Sequence, residues 1–137
     1  MPLFFKVEGF RVNVERRFDA TGRLKTVAEA VVKVDVNGDK RMSVAEGNGP
    51  VNALDLALRK DLGELNPWIG DLELVDYKVR ILNGGTEAVT RVLIESTDAT
   101  GDSWFTVGVS ENIVDASFEA LIDSMTYKLI RAGVEPA

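Results

Sequence analysis

Residues 38–58 read GDKRMSVAEGNGPVNALDLAL, and residues 101–121 read GDSWFTVGVSENIVDASFEAL. The two stretches align without a gap at an offset of 63 (101 − 38), with Gly38/Gly101, Asp39/Asp102, Val44/Val107, Val51/Val114, Ala53/Ala116, Ala57/Ala120 and Leu58/Leu121 identical. The register holds through a turn, a strand and the start of a helix. That implies two copies of one unit, related by a pseudo-twofold axis. It also gives the chain two equivalent strand-to-helix corners. Helix N-termini carry unsatisfied N–H groups and partial positive charge, so these corners are the first candidates for a binding site.

Working outward from the repeat, Phe10 to Glu15 alternates apolar with polar at period two, as a half-buried strand does. Asp19-Ala20-Thr21-Gly22 is a turn cluster. Ala28, Ala30, Val32, Val34 and Val36 then face one way, with Glu29, Lys33 and Asp35 opposite. Asn37-Gly38-Asp39 is a hairpin signal, and Lys40 to Glu46 returns as a third strand. Pro50 suits the first position of a helix that runs through about Leu62 with Val51, Leu54, Ala57 and Leu58 at helical spacing.

Gly63 to Gly70 reads as a linker. The second copy opens at Leu74, with Val75, Tyr77, Val79 and Ile81 alternating against Asp76, Lys78 and Arg80, and Asn83-Gly84-Gly85 turning the chain. Glu87 to Glu95 is the next strand. Its TEAVTRV, from Thr86, matches Ala28 to Val34 at an offset of 58, which places five extra residues (63 − 58) in the loop near Ser96 to Thr100. Ser103 to Val109 follows, and Asn112 starts a longer helix. That helix carries one stripe of Ile113, Ala116, Ser117, Ala120, Leu121 and Ser124 and another of Val114, Phe118, Ile122, Met125 and Leu129. The order is βββα–βββα. Fold class is therefore α+β, two pseudo-symmetric βββα units (about 10–62 and 74–132) with antiparallel sheets packed on two helices, within one domain over 1–137.

Composition narrows function by exclusion. Hydrophobic residues make up 45% and charged residues 28%, ordinary for a chain that folds around a core. A net charge of −6 opposes a phosphate backbone, so nucleic acid is not an expected partner. No apolar run reaches membrane-spanning length. The chain has neither cysteine nor histidine. Disulfides, thiolate metal sites and histidine-assisted nucleophiles are therefore unavailable to it, and a reducing cytoplasm fits. The expectation is a non-catalytic module with no cofactor and no metal.

GNGPVNALDLALRKDL at 47–62, VDYKVRIL at 75–82 and TVGVSENIVDASFEALIDSMTYKL at 106–129 occur in an order that resembles the C-terminal regulatory domain of α-isopropylmalate synthase-type enzymes. The last stretch, with ESTD at 95–98 ahead of it, is most similar to the citramalate synthase branch. The resemblance runs from about Phe10 to Leu129. It implies two βββα units per chain, a homodimer, and an end-product amino acid as effector: isoleucine in the citramalate branch, leucine in the isopropylmalate branch. It also implies a separate catalytic (β/α)8 barrel that condenses acetyl-CoA with a 2-oxo acid. Such a barrel needs about 250 residues and is absent from this sequence.

The resemblance further implies an effector site at Gly47, Asn48, Gly49, Pro50 and Val51, at Ser110, Glu111, Asn112 and Ile113, and near Asp76 and Tyr77. Clustered N–H donors suit the effector carboxylate, Asp76 could accept from its ammonium, and Tyr77 could supply an apolar wall. Structural readings compete for each. GNGP also serves as a plain helix-start turn, Asn112 with Asp115 as an N-cap, Tyr77 as a core residue and Asp76 as a solvated one. At the level of function, an allosteric sensor competes with a dimerisation module lacking a working pocket and with a small carboxylate-only enzyme.

Overall fold

The computed structural model describes residues 4–83 and 88–135. The chain divides into two compact units, one within Leu3–Glu64 and the other within Leu65–Pro136. The first contains strands β1 (Lys6–Phe18), β2 (Leu24–Val36) and β3 (Asp39–Gly47) and helix α1 (Pro50–Asp61). The second contains a short helix α2 (Asn66–Ile69), strands β4 (Glu73–Asn83), β5 (Ala88–Thr97) and β6 (Ser103–Ser110) and helix α3 (Ile113–Arg131). Each sheet is an antiparallel meander, ordered β1-β2-β3 and β4-β5-β6. The α+β class and the two βββα units expected from the repeat are what the chain forms.

In the first unit Ala28, Ala30, Val32, Val34 and Val36 of β2 are buried, as are Ala53, Leu54, Ala57 and Leu58 of α1. The sheet's alternation and the helix's spacing thus meet in one core. The β2–β3 turn has φ of 53° at Asn37 and 87° at Gly38, the two positive values of a hairpin whose twist matches its strands. In the second unit the same layer is made by Thr90, Val92, Ile94 and Ser96 of β5 with Ala116, Ala120, Leu121 and Ser124 of α3. Both apolar stripes of α3 are represented in the buried set, the second by Phe118, Met125 and Leu129. At Gly108 the helix sits so close that an added Cβ would fall 1.8 Å from the Ala116 carbonyl oxygen.

Strand pairing corrects the alignment of the second copy. Val34 pairs with Val7 and Ser96 with Leu74, an offset of 62 (96 − 34) for the middle strand rather than 58. The β5–β6 turn therefore has one residue more than its counterpart (63 − 62), not five. Offsets of 58 and 62 differ by an even number, so both keep every side chain on the same face. The alternation pattern could not separate them, and the TEAVTRV match drew the wrong one. The first strands correspond at an offset of 67, Gly9 with Asp76 and Phe10 with Tyr77, and both ladders carry an irregularity just before that pair.

Other boundaries also move. The ladder of β1 extends past Glu15 to Phe18, because backbone pairing, not burial, carries it to the Asp19 turn. The segment expected to be a linker is structured: a 3-10 turn (Gly63–Leu65) leads into α2, and Leu65, Ile69 and Leu72 are buried. Asn66-Pro67 begins that helix rather than breaking one. Gly84, Gly85 and the start of the Glu87 strand lie outside the described residues.

Each long helix covers mainly the second and third strands of its sheet. The helix-side row of the first strand is left partly open at equivalent positions: Phe10/Tyr77, Val12/Val79 and Val14/Ile81. Val14 is 57% exposed and Ile81 67%. Among the described residues no helix is long and apolar enough to cross a membrane.

Candidate functional site

The β3–α1 corner is built by its glycines. A Cβ on Gly47 would lie 2.4 Å from Asn52 Oδ1 and 2.6 Å from the Ala53 nitrogen, so β3 can run into the helix only with glycine there. Asn48 donates its backbone N–H to Asn52 Oδ1 at 3.1 Å, which closes the loop on itself. Gly49 is the N-cap, extended at φ −160° and ψ 175°, and has no side chain to cap with. Pro50 has no N–H, and Ala53 N–H is the first bonded along the helix, to the Gly49 carbonyl at 3.0 Å.

The amides of Val51 and Asn52 are thus left without a side-chain cap, and the first turn has no acidic residue. An open pair of N–H groups at the positive end of a twelve-residue helix is suited to a carboxylate.

The β6–α3 corner resolves the same backbone need differently. Asn112 caps the helix, its Oδ1 accepting from Val114 N–H at 2.7 Å and Asp115 N–H at 3.3 Å. Ser110 Oγ accepts from the Asn112 N–H at 3.2 Å. Asp115 adds a negative charge in the first turn. The capping geometry weighed from the sequence is present here. Glu111 and Ile113 are exposed on the rim of this corner.

Asp76 and Tyr77 follow the irregularity at the start of β4 and point to opposite faces. Asp76 is exposed, accepts from the Tyr77 N–H at 2.9 Å and lies 3.6 Å from Lys78 Nζ. Tyr77 lies on the helix side. Its hydroxyl is 2.9 Å from Ser117 Oγ, and Ser117 donates to the Ile113 carbonyl at 2.7 Å. Because the serine proton is already used, the tyrosine must be the donor. Tyr77 is therefore tied through Ser117 to the first turn of α3, next to the Ser110–Ile113 corner, while Asp76 is not. Ser117 was read from the sequence only as part of an apolar stripe. A hydroxyl in that stripe, four residues after Ile113, was the available signal.

Two charged clusters lie outside these corners. Lys128 is 7% exposed and reaches Asp98 at 2.6 Å and Asp71 at 3.3 Å. The Lys128 bond, with help from Thr100, holds the Asp98 carboxyl down at about 2. This network fastens the β5–β6 turn to α3. At the end of α1, Asp61 is 2% exposed and accepts from Ser43 Oγ at 2.5 Å, while its second carboxylate oxygen has no hydrogen-bond partner among the described residues. Burial pushes the Asp61 carboxyl up, against the Ser43 bond and the Arg41 charge. No group of three potential metal ligands occurs among the described residues.

Residues 3–129 match the family described as the LeuA allosteric (dimerisation) domain. The chain is similar to (R)-citramalate synthases: 51% identical to that of Streptomyces coelicolor over 98% of this chain and 24% of that protein. Its identity to the enzyme of Geobacter sulfurreducens is 53%, over 92% of this chain and 24% of that protein. It is also similar, at 33% identity over 72% of this chain and 19% of the other, to a probable 2-isopropylmalate synthase of Methanopyrus kandleri. The chain spans about a quarter of the length of these two (R)-citramalate synthases.

Proposed function

The chain belongs to the family of LeuA allosteric (dimerisation) domains, and from that membership we propose that it is the regulatory domain of an acetyl-CoA-dependent citramalate synthase. In this reading it binds isoleucine as the end-product effector and forms a homodimer. By itself it catalyses nothing and needs no cofactor. The catalytic step belongs to a barrel elsewhere in the parent enzyme, working in the cytoplasm.

One observation carries the binding half of this reading: the open amides of Val51 and Asn52 at the uncapped start of α1. They are the donors a free amino acid's carboxylate requires, and Gly47 and Gly49 leave the backbone accessible beside them. Ser110, Glu111, Asn112 and Ile113, with Asp76 and Tyr77, are the candidates in the second unit. The preference for isoleucine rests on 48–53% identity to several citramalate synthases against 33% to a probable 2-isopropylmalate synthase. Leucine sensing is the alternative that the latter similarity favours. The two ligands differ by one methyl position, worth about 1–3 kcal/mol in an apolar pocket.

The dimer half is supported by the partly open apolar rows Phe10–Val14 and Tyr77–Ile81. Inhibition then requires isoleucine to bind the two states of the parent enzyme with different affinity. Titration calorimetry of the chain with isoleucine, leucine and valine tests the proposal. Saturable heat with isoleucine tightest supports it, and leucine tightest selects the alternative. Silence with all three at millimolar concentration leaves a dimerisation module.

A further inference from the structure

We propose that the face of the second sheet turned away from α3 holds a second ligand site, independent of the effector reading. It would take a small dianionic molecule, such as a phosphate ester or a dicarboxylate. Arg80 of β4 and Arg91 of β5 are direct partners in the ladder, both exposed and on the same face. Like charges directly opposed across a strand pair are destabilising. Neither arginine has an ion pair among the described residues.

Lys78 lies two residues along β4 on the same face, and its nearest carboxylate is the exposed Asp76 at 3.6 Å. Lys78, Arg80 and Arg91, with apolar Val79 and Leu93, line one cavity of about 440 Å³. That is room for a compact molecule of metabolite size.

The repeat shows that the fold does not require this arrangement. The equivalents of Arg80 and Arg91 in the first unit are Asn13 (80 − 67) and Glu29 (91 − 62), which also pair directly across the ladder. In that unit Arg17 is matched by Glu46 at 3.0 Å, and Arg41 by Asp39 at 2.9 Å and by Glu64. A chain of net charge −6 has carboxylates to spare, yet three cations line this cavity with no carboxylate among its described lining residues, whereas the first-unit cavity lined by Lys33, Lys40 and Arg41 also holds Glu8. Paired guanidiniums offer forked donors that fit phosphate or carboxylate oxygens two at a time, and Leu93, on the same face, would meet the ligand's carbon skeleton.

The test is to follow amide chemical shifts while titrating the chain with inorganic pyrophosphate and, separately, with succinate. Saturable shifts confined to 78–80 and 91–93 are expected, with the tighter probe identifying the anion class. The Arg80→Gln/Arg91→Gln double variant should weaken binding about tenfold or more per arginine. Arg16→Gln, in the first unit, should leave binding unchanged, and the double variant's response to isoleucine should be that of the parent chain. Without ligand, Arg91→Gln should raise the melting temperature, because it relieves the opposed charges. No localised shift with either anion at millimolar concentration, equal weakening by Arg16→Gln, or a fall in melting temperature on Arg91→Gln would each overturn the site.

Discussion

Gly49 is where one side chain separates fold from function. It caps α1 without a side chain, and a Cβ there would meet nothing within 4 Å. Its extended backbone suits any residue. Gly49→Asp should therefore fold normally and gain a few tenths of a kcal/mol from capping Val51 and Asn52. The same carboxylate would occupy the proposed place of the effector's, so isoleucine binding should fall by about tenfold or more. Thermal melts and calorimetry on one sample read both. A more stable variant that still binds isoleucine fully would remove the carboxylate from this corner.

Gly108 is the opposite case. Its missing Cβ lets α3 lie on β6, and Gly108→Ala should cost about 1–3 kcal/mol through overpacking, read by denaturant unfolding. The repeat carries no sign of this contact, because the equivalent residue in the first unit is alanine (108 − 63 = 45).

Asp61 sets a pH signature at the same scale. Its folded carboxyl is raised above the ordinary value of 3.8 by burial. The folded state thus holds a proton that the unfolded chain gives up earlier. The stability this contributes is fully present below about pH 3.8 and is lost as pH rises through the folded value. Asp61→Asn should be more stable than the parent near neutral pH, by on the order of 1 kcal/mol. That advantage should vanish in acid, as paired unfolding curves across pH would report.

At the scale of elements, the β5–β6 turn is fastened from inside. Asp98 has its folded value depressed to about 2, first by the Lys128 bond and then by Thr100. A depressed carboxylate contributes stability above its unfolded value and loses it as pH falls from about 3.8 through about 2. Asp98→Asn should lose that part of the acid dependence and melt lower at neutral pH, since Lys128 would remain buried beside only Asp71.

This turn also marks how far the sequence could be read at element scale. Existence, type and order of the six strands and two long helices followed from alternation, helical spacing, Pro50 and the Asn37-Gly38 turn. What the pattern could not carry was pairing register. A shift of four residues preserves every face, and only the hydrogen-bonded ladder fixes Ser96 opposite Leu74. The short α2 was hidden for a related reason: Asn-Pro is as good a turn signal as a helix start, and burial of Leu65 and Ile69 decides between them.

For the whole molecule, the duplicated plan leaves the same row uncovered twice. A three-stranded sheet is wider than one helix, and both helices take the second and third strands. The candidate site was legible only as segments. The repeat and the family resemblance located both corners and the Asp76-Tyr77 pair, but they could not say that one corner stays open while Asn112 fills the other. That difference depends on whether a glycine or an asparagine stands at the N-cap.

If the open rows form the homodimer, Ile81→Glu should leave the fold intact, since Ile81 is 67% exposed. It should weaken self-association by about tenfold or more, read by sedimentation over a dilution series.

The central claim is that this chain binds a free branched-chain amino acid through the open start of α1. Calorimetric titration with isoleucine, run on the parent chain and on Gly49→Asp side by side, addresses it most directly. Saturable binding in the parent, weaker with leucine and about tenfold or more weaker in the more stable Gly49→Asp, is the expected result. No heat in the parent chain, or equal heat in both, would contradict it.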